Sequence, residues 1–334
     1  MFQFKINHEI LSRKFNNQLL DAIKVGEASS LKKNDRSFKN ITIAGLGGSG
    51  IGGKIVAQFV QDQIAIPIVI SNNYTLPNYI DKNSLVIVSS FSGNTEETLA
   101  AMKIAENKGA EIACITSGGK LESWAKEKNY NHIILPTEKS PRAMLTYSMV
   151  QQFFLLNHYG LIDDGFKVEI QNSANELNKS VNKIKETAEF IASKFHNKTP
   201  VIYADADFEG VAIRMRQQIN ENAKQLCWHH VLPEMNHNEL VGWAGGKNEY
   251  AVVFLRTSFD HPRTQVRMDI CNKIIAKYTN EIREIHAVGE SKIQQALYLI
   301  LFGDWVSVFL ADLNEVDSIE VNVIDYLKGE LSKV

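Results

Sequence analysis

A chain of 334 residues with 44% hydrophobic content is long enough for two domains with substantial cores, which excludes global disorder. Its 36 basic and 38 acidic residues nearly cancel and no like-charged run stands out, so no nucleic-acid surface is expected and the ligand should be small. The leading MFQFKINHEILSRKF lacks an apolar core with a cleavage site, and no stretch reads as the ~20 apolar residues that span a bilayer, so no membrane and a cytoplasmic location are expected.

Ile6, Ile10, Leu11, Phe15, Leu19, Leu20 and Ile23 recur at helical spacing and predict a leading helix within residues 6–35. The stretch 41–53, ITIAGLGGSGIGG, then turns from an apolar strand (41–45) into a loop of glycine and serine. Gly45, Gly47, Gly48 and Gly50 can aim consecutive N–H groups into one concavity, Ser49 adds a hydroxyl, and Ile51, Ile55 and Phe59 begin a helix. This is a cradle for an anion.

Buried parallel strands are predicted at 66–71 and 84–92, then a helix capped by Asn94 or Thr95 and stopped by Gly109. A strand at 111–117, a helix near 121–129, a strand at 132–136 and an apolar helix over 143–160 follow. LIDDGFK after Gly160 is the best domain boundary, giving domains 1–160 and 161–334. A long helix then runs to about Asn197, and alternation resumes with strands at 201–205, 250–257 and 283–288 and helices at 209–227 and 262–277. Apolar and amphipathic helices over 291–314 and 320–332 close the chain. The fold class is α/β: two domains, each a parallel sheet flanked by helices on both faces.

Gly45, Gly47 and Gly50 also satisfy the spacing of a dinucleotide-binding turn, but the second strand ends in Ser71, Asn72 and Asn73 with no acid for a ribose. A single phosphate fits better. SSFSGNT after the third strand places Ser90, Ser92 and Thr95 before a helix, and the ends of the first and third strands can lie side by side. One such turn is ordinarily a cap; two facing one another indicate a ligand.

Five stretches, GLGGSGIGG, SSFSGNTEET, PRA at 141–143, NENAK at 220–224 and HNE at 237–239, resemble the bifunctional phosphoglucose/phosphomannose isomerases of the sugar isomerase (SIS) superfamily. The resemblance implies two SIS-type domains and aldose-ketose isomerisation of a hexose 6-phosphate through an enediolate, with no metal or other cofactor. The phosphate would be held at Gly48, Ser49, Ser90, Ser92 and Thr95. Glu221 matches the family's base, His237 the ring-opening histidine, Arg142 the cation beside the enediolate, and Lys328 the C-terminal lysine.

Read without the resemblance, Glu221 and Arg214 lie on a solvated face, opposite a stripe of Ala212, Met215, Ile219, Ala223 and Leu226. Likewise His237 is a loop histidine with His229 and His230 as decoys, Arg142 a surface ion pair, and Lys328 a solvated lysine. In related isomerases the histidine comes from the second subunit, which implies a homodimer with its active site near the subunit interface. The run Asp317, Ser318, Ile319, Glu320, Val321 departs from the family's DPTPV-like segment, and Lys54 stands where an acid is common. A non-catalytic SIS-domain sugar-phosphate regulator, which needs no base, is the alternative.

Overall fold

A computed structural model describes residues 15–137, 141–246 and 248–333. Ile6, Ile10 and Leu11 of the expected leading helix lie outside the described residues; from Phe15 that helix is α1 (Phe15–Glu27), which buries Phe15, Leu19 and Ala22. Two compact units are distinguished, one running to Asn178 and including Gly289–Gln294, the other taking Lys179–Val288 and the chain from Gln295.

In the first unit, β1 (Asn40–Ala44), β2 (Ile68–Ser71), β3 (Ser84–Ser89), β4 (Glu111–Thr116) and β5 (Asn131–Ile134) form a parallel sheet in the order β2-β1-β3-β4-β5. The connecting helices are α2 (Gly47–Val60), α3 (Glu96–Asn107) and α4 (Gly119–Glu127), and α5 (Leu145–His158) follows β5. Strand residues alternate between faces. Ala44, Val86, Val88, Ile112 and Cys114 pack with Leu99 and Met102 of α3 and Leu121 of α4. Ile41, Ile43 and Ile87 fill the opposite face, where α2 comes so close that a Cβ on Gly53 would sit 2.7 Å from Ile43 Cγ2. Both faces are apolar, which explains why these strands read as continuous β-branched runs.

The second unit repeats the plan with one strand fewer. After α6 (Gly165–Phe195), its elements are β6 (Thr199–Asp205), α7 (Glu209–Ala223), β7 (Trp228–Leu232), the one-turn α8 (Glu239–Gly242), β8 (Tyr250–Arg256), α9 (Pro262–Ile275), β9 (Glu281–His286), α10 (Lys292–Leu313) and α11 (Asn322–Leu331). The parallel order β7-β6-β8-β9 matches β2-β1-β3-β4. Val201, Tyr203, Val252 and Phe254 form one core face with Met268, Cys271 and Ile275 of α9.

Four expectations about the elements of the fold need correction. The glycine stretch is not a loop ending at Ile51, because α2 begins at Gly47 and takes the glycines into its first turns. The strand β7 was not expected: it is an edge strand paired only with β6, and only Val231 and Leu232 of its five residues are buried. The helix over 209–227 stops at Ala223, and Leu226 is 85% exposed rather than part of the apolar stripe. Finally, α10 is long and apolar enough by composition to cross a bilayer, although most of it is buried inside the protein.

Candidate active site

The carboxyl ends of β1 and β3 are adjacent, since the two strands pair from Asn40↔Ser84 to Ala44↔Val88. Each end feeds a helix whose N-terminus has no side-chain cap: Leu46 stands before α2 and Thr95 before α3. The first N–H groups of a helix lack intrahelical partners and carry the positive end of its dipole, so two such ends at one sheet edge suit an anion. The polar side chains there are turned to each other. Ser90 is buried and its Oγ lies 2.9 Å from Thr95 Oγ1, so Thr95 occupies the expected capping position without capping. Ser49 is buried in the first turn of α2, Gly48 is half-buried beside it, and Ser92 is exposed, its Oγ accepting from Asn94 N at 3.2 Å.

Backbone approach shapes both turns. Gly93 has φ +67° and a Cβ there would meet Gly118 O at 1.8 Å; a Cβ on Gly50 would meet Gly45 O at 2.4 Å. Neither position admits another residue without displacing the turn. Asn72, just past β2, donates to Gly45 O at 2.5 Å, so a brace for the loop stands where a dinucleotide site would hold its ribose-binding acid.

Arg142 sits in a 3-10 turn (Pro141–Met144) that packs against α2 and leads into α5. It is 8% exposed, which corrects the surface ion pair expected from sequence. A buried arginine needs partners, and its planar fork suits oxyanions.

The carboxyl edge of the second sheet is built differently. Beyond β8, Asp260 accepts from Thr257 N (2.9 Å) and Thr257 Oγ1 (2.5 Å), while Asp205 at the end of β6 accepts from Asp207 N (2.9 Å) and His261 N (3.3 Å). Burial pushes the Asp260 carboxyl up, against the Thr257 hydrogen bonds, and the neighbouring Asp205 adds to the rise. The N-terminus of α9 is capped by His261. Here two carboxylates stand at the sheet edge and α9 is capped, while α7, which follows Phe208, has no side-chain cap.

Glu221 lies in the last turn of α7, half-buried, and lines a cavity of about 300 Å³ with Asn220, Lys224, Leu226, Val321 and Ile324. Lys224 ends the helix with φ +53° and donates through Nζ to Glu221 O (2.8 Å), Asp317 O (2.7 Å) and Glu320 O (2.7 Å). The segment that departs from the family pattern is thus tied to the turn that carries Glu221. Arg214 is not on a solvated face: it is 2% exposed, and its Nε and Nη2 donate to the two oxygens of Asp304 on α10, each at 3.1 Å. Burial raises the Asp304 carboxyl and the Arg214 guanidinium opposes the rise.

His237 is exposed at the end of a 3-10 turn (Glu234–His237) after β7. The turn is held from behind by Glu239, whose carboxylate accepts from Tyr203 Oη and from Trp228 Nε1 (3.1 Å) and lies 2.7 Å from His230 Nδ1. Burial, with the Glu239 charge beside it, holds the Tyr203 phenol protonated as a donor. Glu239 and Lys224 both fall inside the quoted motifs, HNE and NENAK, yet their bonds run to residues distant in sequence. Nothing local to them announced a role.

Glu221 and His237 stand at opposite edges of one sheet. α7 starts beyond the carboxyl end of β6 and runs back, and Gln225 after it donates to Phe195 O (3.0 Å) and Lys198 O (2.6 Å), just before β6 begins. His237 follows Leu232, which pairs with Asp205 at the other end of β6. Seven residues of strand separate those edges by about 23 Å at 3.3 Å per residue. Lys328 is exposed on α11, one turn beyond the cavity-lining Ile324, and is not among the residues lining the cavity. Among the described residues no group of three or more His, Cys, Asp or Glu could hold a metal ion.

A family model for the bacterial phospho-glucose isomerase C-terminal SIS domain matches residues 184–331, and the SIS domain model matches residues 36–161. The chain is 37% identical to a bifunctional phosphoglucose/phosphomannose isomerase of Caldicellulosiruptor bescii, over 95% of this chain and 96% of that one. It is 33% identical to a protein of the same description from Aquifex aeolicus, over 92% of this chain and 95% of that one. In fold it is similar to a hypothetical protein of Thermus thermophilus, with TM-score 0.76 at 14% identity, covering 96% of this chain and 88% of that one.

Proposed function

The chain belongs to the bifunctional phosphoglucose/phosphomannose isomerases, and from that premise we propose how its residues interconvert glucose 6-phosphate or mannose 6-phosphate with fructose 6-phosphate. The observation that carries the substrate reading is the pair of uncapped helix N-termini at adjacent strand ends, with Ser90 and Thr95 between them. That arrangement fits one phosphate. Gly48, Ser49, Ser90, Ser92 and Thr95 hold it, within a phosphate-binding domain of residues 1–160, while residues 161–334 supply the base.

His237 opens the ring, moving a proton from the anomeric hydroxyl to the ring oxygen, and Lys328 assists. Glu221 then takes the proton from C2 of the open aldose. The electron pair released forms the C1–C2 double bond and leaves negative charge on O1, which the Arg142 guanidinium stabilises. A proton passes from O2 to O1 and Glu221 returns its own to C1, giving the ketose. In reverse, return of the proton to either face of C2 yields glucose or mannose 6-phosphate. No step calls for a metal.

Activity resides in a homodimer with its active site near the subunit interface. Within the second unit Glu221 and His237 are at opposite sheet edges, much farther apart than a hexose is wide, so one copy of that unit does not present both to one sugar. This supports a histidine supplied by the partner.

A coupled assay on pure protein with fructose 6-phosphate is expected to give both glucose and mannose 6-phosphate, unchanged by chelators. Glu221→Gln is expected to lose at least about 10²-fold in turnover while hexose 6-phosphate still binds. Absence of turnover, or activity lost to a chelator and restored by zinc, would overturn the assignment. An inert parent that binds sugar phosphate would instead be the regulator.

A further inference from the structure

We propose that Lys224 is a positioning residue for Glu221, a clasp that sets where the base stands in its cavity. This rests on the reading of Glu221 as the base. The left-handed conformation that Lys224 adopts at the end of α7 is the one glycine normally supplies at a helix C-terminus, and it strains a residue with a Cβ. Glycine would end the helix at least as well. What glycine lacks is the side chain.

Among the described residues that side chain reaches carbonyls in two separate stretches. An ammonium has three donors, and Lys224 Nζ has three carbonyl acceptors within 2.8 Å: Glu221 O in the last helical turn, and Asp317 O and Glu320 O in the segment leading to α11. The clasp joins two stretches almost 100 residues apart in the chain, as the separations of 93 and 96 residues show. Those stretches are the two walls of one cavity, with Glu221 on one side and Glu320, Val321 and Ile324 on the other. Asn314 reinforces the join from behind, donating to Ala223 O at 3.0 Å and to Gln225 Oε1 at 2.9 Å.

The ammonium bonds the backbone carbonyl of Glu221, and so acts on where that residue stands. A displacement of about 1 Å between base and reacting carbon can cost a hundredfold in rate. A cavity wall whose helix, α11, buries none of its side chains needs such a fastening to hold its spacing.

Lys224→Gly separates positioning from stability, because it removes the clasp and relieves the backbone. It is expected to melt close to the parent, with kcat for fructose 6-phosphate lowered roughly ten- to a hundredfold and KM changed far less. Lys224→Arg, which keeps donors at nearly the same reach, is expected to recover part of the lost kcat, and Lys224→Met none of it. Unchanged kcat in Lys224→Gly, or equal losses in Gly, Met and Arg variants that track a lower melting temperature, would refute the positioning role. Glu221→Gln measured alongside separates the two readings. If that variant is inactive while Lys224→Gly turns over normally, the base stands and the clasp falls; if that variant remains active, both fall.

Discussion

The hydroxyl of Thr95 faces that of Ser90 at 2.9 Å and leaves the N-terminus of α3 uncapped. A threonine at that position ordinarily turns its oxygen back onto the helix N–H groups, stabilising the helix by about 1 kcal/mol. Here the helix end is left for something else, and the neighbouring α2 is equally uncapped.

Loss of either hydroxyl should therefore weaken phosphate binding more than folding. Thr95→Val and Ser90→Ala are each expected to raise KM for fructose 6-phosphate by about ten- to a hundredfold, in keeping with the ~1.5–3 kcal/mol of a hydrogen bond to a charged group. Competitive inhibition by inorganic phosphate should weaken in parallel, with melting temperatures nearly unchanged. If KM and phosphate inhibition both stay at parental values, the site is elsewhere.

The opposite-edge placement of Glu221 and His237 makes a prediction about mixing. Glu221→Gln and His237→Ala should each be nearly inactive alone. Unfolded together and refolded as a mixture, they should recover about a quarter of parental activity, because half of randomly paired twofold dimers are mixed and each mixed dimer contains one intact site. Activity no greater than the sum of the separate variants would argue that both residues act from one chain.

Arg214 and Asp304 form a buried two-pronged ion pair between α7 and α10. Arg214→Met strands a carboxylate in the interior and should cost about 3–5 kcal/mol. Replacing both, as Arg214→Met with Asp304→Leu, should restore most of that stability, since an apolar pair needs no compensation. Thermal melts of the single and double variants decide this, and a single variant as stable as the parent would contradict it.

The thiols should be silent in the native protein. Burial pushes the Cys227 thiol up to about 12, against the opposing effects of Arg216 and Asn220, and raises Cys114 and Cys271 as well. The thiolate is the reactive form, so native Cys227 at pH 8 should label about a thousandfold more slowly than an unfolded thiol of pKa ~8.5. The native rate should rise about tenfold per pH unit well past pH 9, where the unfolded rate levels off. A fast-labelling thiol in native protein at neutral pH would contradict the burial.

Much of the molecule was readable from local pattern. Strands β1, β3 and β4 stood out because both faces are buried, and the glycine-serine stretch and the turn at Ser90 carry their chemistry within a few consecutive residues, although the start of the helix at Gly47 did not show. Edge strand β7 escaped because a strand paired on one side, with three of its five residues only half-buried, need not be apolar. Arg214 looked like surface because its partner lies 90 residues further on, a relationship no local pattern encodes. For the same reason NENAK and HNE could be found as motifs, while their placement at opposite edges of one sheet, and the clasp of Lys224, could not. Sequence by itself determined what is short-range: strand and helix periodicity, glycine turns, and the residue types a sugar phosphate requires. Tertiary structure decided which of those residues are buried, which face each other and which are held apart, because burial and hydrogen-bond partners are set by chain segments that meet only on folding.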